Sequence, residues 1–217
     1  SVALATALLG VAACGSDDGK DLLVDVADSN APHLVTFNVY TEGAVSSLQK
    51  LQYNDAQDLV WEGGEKVKMA TNAGVLQDPF TVTRVVDGYD YFQISGMATG
   101  NGPYYALYPY QAEAEGGMNF FENVEIPSVQ TVKAGQFDPK ADIMVAKSDG
   151  DMNLYFRHVC AKLGINVPVD NGAKIVISPM YVIAGFVDIA TSEAEITGFS
   201  DAPSYSITLN CADGFEK

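Results

Sequence analysis

This chain has little of what most enzymes and nucleic-acid binders work with. Its 217 residues include two histidines (His33, His158), three cysteines, one tryptophan and two arginines (Arg84, Arg157). So few imidazoles and thiols leave little material for a metal cluster or a nucleophile–base pair. The sequence contains no G-x-S-x-G elbow, no phosphate-cradling G-x-x-x-x-G-K-[ST] and no H-E-x-x-H, so it reads as a non-enzyme without cofactor or metal. Carboxylates are plentiful, but number alone does not make a glycosidase pair. Asp149-Gly150-Asp151 reads as an acidic hairpin turn rather than a calcium loop. Basic charge is scarce as well: 12 Lys and Arg stand against 28 Asp and Glu, a net charge of −16. Such a surface repels phosphate backbones and anionic headgroups, which excludes nucleic acid as a partner and a basic face as a membrane contact. No apolar run reaches the ~20 residues that a membrane-spanning helix takes.

What the chain does have is alternation. From residue 30 onward apolar and polar positions follow period two, and no stretch has the period of an amphipathic helix. Val35, Phe37 and Val39 alternate with Thr36, Asn38 and Tyr40; Val67 and Met69 with Lys66 and Lys68; Leu154 and Phe156 with Tyr155 and Arg157. Further strands are expected over 80–86, 89–94, 104–108, 142–146, 163–169, 174–177, 185–189 and 205–209. Asp87-Gly88, Asn101-Gly102-Pro103, Glu115-Gly116-Gly117, Ser148 to Asp151 and Asp170-Asn171-Gly172 have the residues of turns. Roughly ten short strands at this spacing predict an all-β, antiparallel sandwich with little helix.

The first 32 residues read differently. Val2 to Ala13 is an apolar run of signal-peptide length, ending on small residues and Cys14, after which Gly15-Ser16-Asp17-Asp18 turns polar. Val11-Ala12-Ala13-Cys14 resembles a bacterial lipobox, in which the cysteine thiol takes a diacylglyceryl group and becomes the mature N-terminus. Multiple acyl chains on one residue give stable anchoring, at about 0.8 kcal/mol per buried methylene. Ser16-Asp17-Asp18 resembles the acidic export tag of Bacteroidetes surface lipoproteins. With no initiating Met or basic leader before Val2, the chain is expected to be a fragment. Residues 1–13 are its signal segment, 14–32 an acidic tether and 33–217 the sandwich.

Four segments, in order, carry a family resemblance: Trp61-Glu62-Gly63-Gly64-Glu65-Lys66-Val67; Tyr104-Tyr105-Ala106-Leu107-Tyr108-Pro109-Tyr110; Ile126-Pro127-Ser128-Val129-Gln130 running on to Asp142-Ile143-Met144-Val145-Ala146; and Phe156-Arg157-His158-Val159-Cys160-Ala161-Lys162-Leu163. In this order and spacing they resemble the fimbrillin family of Bacteroidetes pilus-associated surface lipoproteins. The resemblance implies a transthyretin-like sandwich of Greek-key type, followed by a second sandwich that this fragment lacks. It also implies an outer-membrane, cell-surface location, a fimbrial or adhesive role, and assembly with other pilus subunits by strand exchange. An incomplete sheet leaves N–H and C=O groups that a partner's strand can complete. The expected exchangeable element is His33 to Tyr40. Many family members are matured by cleavage after an early arginine, and here both arginines fall inside expected strands. That departure favours an anchor, tip or minor subunit over a shaft pilin.

Among side chains, Trp61 reads as an apolar anchor where the chain turns into a sheet. Tyr105 and Leu107 are expected on one face of their strand, with Tyr104, Ala106 and Tyr108 on the other. Tyr104, Tyr105, Tyr108 and Tyr110 form a cluster that offers an aromatic platform to a sugar ring, so the alternative function is a glycan-binding surface lipoprotein; a host protein or glycan is the expected further partner. His158 reads as a satisfied core histidine. Cys160 and Cys211 are either buried free thiols or a disulfide.

Overall fold

The computed structural model describes residues 31–41, 61–76, 79–87, 89–148 and 150–215. The signal segment, Cys14 and nearly all of the acidic tether lie outside these residues. The described strands are β1 (His33–Thr41), β2 (Lys66–Thr71), β3 (Gly74–Val75), β4 (Phe80–Asp87), β5 (Tyr89–Ala98), β6 (Tyr104–Tyr108), β7 (Glu115–Gly117), β8 (Phe120–Ile126), β9 (Val129–Val132), β10 (Met144–Ser148), β11 (Asn153–His158), β12 (Lys174–Ile177), β13 (Ala184–Ala190), β14 (Glu195–Ser204) and β15 (Ile207–Cys211). One 3-10 turn, Pro139–Ala141, is the helical content among them. The fold class is all-β.

The larger sheet closes on itself. Its order is β2-β4-β5-β1-β11-β10-β6, β6 pairs again with β2, and β3 hangs on the outer edge of β2. Two strands make the corners. Lys66 and Val67 of β2 pair with β4, while its residues 68–71 pair with β6; residues 153–156 of β11 pair with β1, while Arg157 and His158 pair with β10. A strand shared between two sheets turns a sandwich edge into a barrel corner, so the expected open sandwich is here a barrel-like closed sheet. The expectation of purely antiparallel pairing also needs correction: β1 runs parallel to β11, and β9 parallel to β15. The barrel interior is filled by Phe37, Val67, Met69, Phe80, Ile94, Leu154 and Phe156, among others.

A second layer packs on the outside of this barrel. It comprises a four-stranded sheet, β14-β13-β8-β7, and a three-stranded sheet, β12-β15-β9. Its core joins Phe121, Val124, Ile126, Val187 and Ile189 to Ala70, Tyr105, Leu107, Ile143 and Val145 of the barrel wall. That wall is therefore apolar on both faces, and every residue of β6 is buried. The same packing reaches Lys68, although it alternates with Val67 and Met69 along β2. Lys68 is buried, and its Nζ donates to the Gln111 carbonyl at 2.9 Å and to that of Ala112. Burial lowers its pKa, opposed by Glu113 and Glu115.

Candidate functional site

The element the sequence marks as exchangeable occupies a position between two strands. β1 matches the expected range and adds Thr41. Its Val35, Phe37 and Val39 enter the barrel core, with Phe37 edge-on to Tyr104 at 4.9 Å between ring centres. Outward, a polar row crosses three strands: Gln93 Nε2 donates to Asn38 Oδ1 and Asn38 Nδ2 donates to Asn153 Oδ1, each at 3.1 Å. Tyr40 stacks on Tyr155 at 5.0 Å. β1 pairs antiparallel with β5 and parallel with β11, so lifting it out opens the ring between those two.

Segments far apart in the chain meet beside β1. Trp61 is 3% exposed, and its ring stands edge-on to Tyr108 and to Phe156, each 5.1 Å away. Its Nε1–H donates to Thr41 Oγ1 at 3.1 Å. Met144 of β10 pairs with both Tyr108 and His158. Trp61, Tyr108, Met144 and Phe156, one from each segment that carries the family resemblance, thus belong to a single buried cluster.

The four tyrosines do not share a surface. Tyr104 and Tyr108 point into the barrel core and Tyr105 into the second layer's core, on the two expected faces of β6. Their hydroxyls are engaged as in a packed interior: Tyr104 donates to the Gly100 carbonyl at 3.3 Å and Tyr105 to Asn72 Oδ1 at 3.2 Å. Burial raises the Tyr104 pKa. Tyr110 is half-buried, its ring 5.5 Å from Lys68 Nζ. Sheet packing on both faces of β6 buries the Tyr104, Tyr105 and Tyr108 rings, and Tyr110, beyond the strand's end, is half-buried, so the four do not present one exposed face.

A polar knot lies where β10 and β11 begin and end. His158 Nδ1 is 2.7 Å from Asp142 Oδ1, and Lys162 Nζ is 3.8 Å from Asp142 Oδ2. The Asp142 side chain is 4% exposed and that of His158 26%, so the histidine is half-buried and satisfied by a carboxylate. Cys160 and Cys211 are free thiols. Burial, with the Asp142 charge beside it, pushes the Cys160 thiol up to about 11. At the acidic turn, Asp151 accepts from the side chain and backbone of Asn153 and from Ser148 Oγ. The Asn153 side chain leads in holding its carboxyl below the usual range. Among the described residues no group of three or more His, Cys, Asp or Glu is arranged to hold a metal ion.

Sequence reasoning missed a cleft of about 620 Å³ in the second layer. Its floor is the inward face of the three-stranded sheet, where Val132, Ile175, Ile177, Ile207, Leu209 and Cys211 recur at period two. Ile126, Ile196 and Phe199 face it from the four-stranded sheet, and 159–165 forms a wall. That wall corrects another expectation: Leu163 to Val169 alternates like a strand but pairs with none among the described residues, leaving Leu163, Ile165 and Val167 exposed. Period-two runs at 174–177 and 207–211 announce an apolar sheet face, but not that it looks into a gap.

The fold and site define an all-β chain of a closed barrel-like sheet carrying a second β layer. No protein-family model, curated protein or solved structure matches it.

Proposed function

We propose that this chain is a lipid-anchored, cell-surface structural protein of fimbrillin type, an anchor, tip or minor subunit of a pilus that joins its neighbours by strand complementation through β1. The observation that carries the reading is the meeting of the four resemblance segments around Trp61, since residues from 61 to 156 come together there beside the proposed exchangeable strand. In this reading the two-cornered barrel is a transthyretin-like sandwich whose sheets share β2 and β11. Cys14 bears the acyl chains that hold it to the outer membrane, and residues 15–32 are the tether. Two arginines placed in strands, Arg84 in β4 and Arg157 in β11, support an unprocessed subunit, because cleavage after either would cut through the barrel.

The chemistry of exchange follows from β1's surroundings. Its three core side chains contribute about 1.5–3 kcal/mol each, comparable with the roughly 5–15 kcal/mol that separates most folded domains from their unfolded chains. A protein without β1 therefore depends on a supplied strand. Deleting residues 33–41 should abolish cooperative folding, and adding a synthetic 33–41 peptide in trans should restore it with saturable binding. Folding and assembly unaffected by the deletion, or no rescue by the peptide, sinks the complementation role. The anchor is tested separately: palmitate label should enter the full-length protein in cells and be lost in Cys14→Ser.

A further inference from the structure

The second-layer cleft is an apolar gap between two sheets that face each other with their side chains. Its 620 Å³ falls within the about 300–1,000 Å³ of small-molecule sites. Six residues of the three-stranded sheet floor it, and five of them (Val132, Ile175, Ile177, Ile207, Leu209) are only partly buried. Apolar side chains left in this state signal surface that an occupant can remove from water. Peptide fits poorly here. A strand laid between two side-chain faces leaves its own N–H and C=O groups unpaired, at about 1–3 kcal/mol each by mutational measures, whereas a hydrocarbon chain has no such groups.

The charged lining selects the head. The chain as a whole carries 28 acidic residues against 12 basic, yet the charged residues lining this cleft are Lys133, Lys162 and Asp142. Asp142 is already held by His158 and Lys162. Lys133 faces Asp213 at 3.9 Å with both side chains more than half exposed, a pairing worth little in water. Lys162 lies over the Phe137 ring at 5.4 Å, so a cation stands beside an apolar wall.

We propose that this cleft is a binding site for a single long aliphatic chain ending in a carboxylate, with the chain between the two sheets and the head at Lys133 and Lys162. The inference is independent of the pilus reading. Its occupant is a free fatty acid, since an acyl chain held as an ester or amide, as on a lipidated Cys14, has no carboxylate to offer the two lysines. Full-length Cys14→Ser protein, which cannot carry its own lipid, is titrated with palmitate, hexadecanol and hexadecylamine. One palmitate should bind per chain and more tightly than either analogue. Ile177→Trp, which fills the floor, should abolish binding while the circular dichroism spectrum is kept. Lys133→Gln with Lys162→Gln should weaken palmitate about tenfold, the worth of two exposed ion pairs, and leave hexadecanol unchanged. Palmitate should bind the acylated protein as well as Cys14→Ser; binding by Cys14→Ser alone shows that the chain's own lipid fills the cleft and overturns the assignment of a free acid. Absence of palmitate binding to folded Cys14→Ser, or binding indifferent to Ile177→Trp in a folded variant, overturns the site. Equal affinity for palmitate and hexadecanol overturns the assignment of the head.

Discussion

Removing Trp61 should cost this protein more than any other single side-chain truncation near β1. The indole is nearly inaccessible to solvent, lies edge-on to two rings at 5.1 Å and donates to Thr41 at 3.1 Å. Truncating a buried tryptophan to alanine typically costs about 3–5 kcal/mol. The two edge-to-face contacts add about 0.5–1.5 kcal/mol each beyond buried area, which places Trp61→Ala at the upper end of that range. Trp61→Phe keeps a ring in the cluster, loses some volume and removes the Nε1–H, and a neutral hydrogen bond contributes about 1 kcal/mol net. It should therefore cost about 2 kcal/mol. Urea unfolding followed by far-ultraviolet circular dichroism reads both values without relying on the one tryptophan as reporter. For a chain of this size each kcal/mol shifts the melting temperature by about 2–4 °C, so Trp61→Ala should melt roughly 10 °C or more below the parent. A double-mutant cycle with Thr41→Val isolates the bond between the indole and β1, with an expected coupling near ~1 kcal/mol. A cost for Trp61→Ala below about 1.5 kcal/mol, or strict additivity with Thr41→Val, would refute the role given to this cluster.

Other consequences are equally measurable. Cys160 should resist alkylation: with its pKa moved from 9.0 to about 11, its thiolate fraction near neutrality falls about a hundredfold, two decades in concentration for two units. In a Cys14→Ser, Cys211→Ser background, the iodoacetamide rate should keep rising with pH up to about 11. Because the folded state holds this proton more tightly, its contribution lowers stability as pH rises from 9.0 to about 11, a slope that Cys160→Ser should remove. Asp142→Ala leaves His158 and Lys162 without the carboxylate between them and should cost about 3 kcal/mol, read by denaturant midpoint. Gly185→Ala meets two obstacles, a φ of +120° and an added Cβ only 2.5 Å from the Ala202 carbonyl oxygen. It should lower stability by more than about 3 kcal/mol, whereas Ala at the open, positive-φ Gly135 should cost about 1.

Much of the barrel was legible because each of its strands carries its own signal. Val35, Phe37 and Val39, or Leu154 and Phe156, need no distant information to announce one buried face. β8 was missed because its buried residues, Phe121, Val124 and Ile126, do not follow period two. Asn123, at a φ of 57°, inserts a bulge between the first and the second. β14 was missed because it is an edge strand that is largely exposed, contains Gly198 and Pro203, and shifts register three times against β13. Leu163 to Val169 failed the other way, since alternation reports a side-chain pattern and cannot report a missing partner. Closure of the ring was illegible for a topological reason. It depends on β2 and β11 dividing their backbone bonds between different neighbours, and on Asn38 meeting Asn153 across 115 residues of sequence. The burial of Tyr104, Tyr105 and Tyr108 was illegible because packing on both faces of β6 requires a second layer that no local pattern reveals.

The geometry of β1 constrains any strand that replaces it. A donor must run antiparallel to β5 and parallel to β11 at once, so its direction is fixed. Inward, it needs three apolar residues at period two, the middle one large and flat enough to meet Tyr104 as Phe37 does. Outward, it needs an amide at the position of Asn38, because Gln93 and Asn153 each contribute a polar group to that row. A peptide of reversed sequence, laid in the native direction, keeps the parallel register and the inward Val-Phe-Val alternation but puts a threonine where Asn38 stands, so it loses the amide row. A shift by one residue keeps the direction but turns the apolar side chains outward. The slot is thus selective through backbone direction and parity together. A reversed-sequence 33–41 peptide should rescue the deletion protein more weakly than the native peptide because it lacks the amide at the position of Asn38, and equal rescue by both would show that the barrel accepts hydrophobic filler rather than a particular strand.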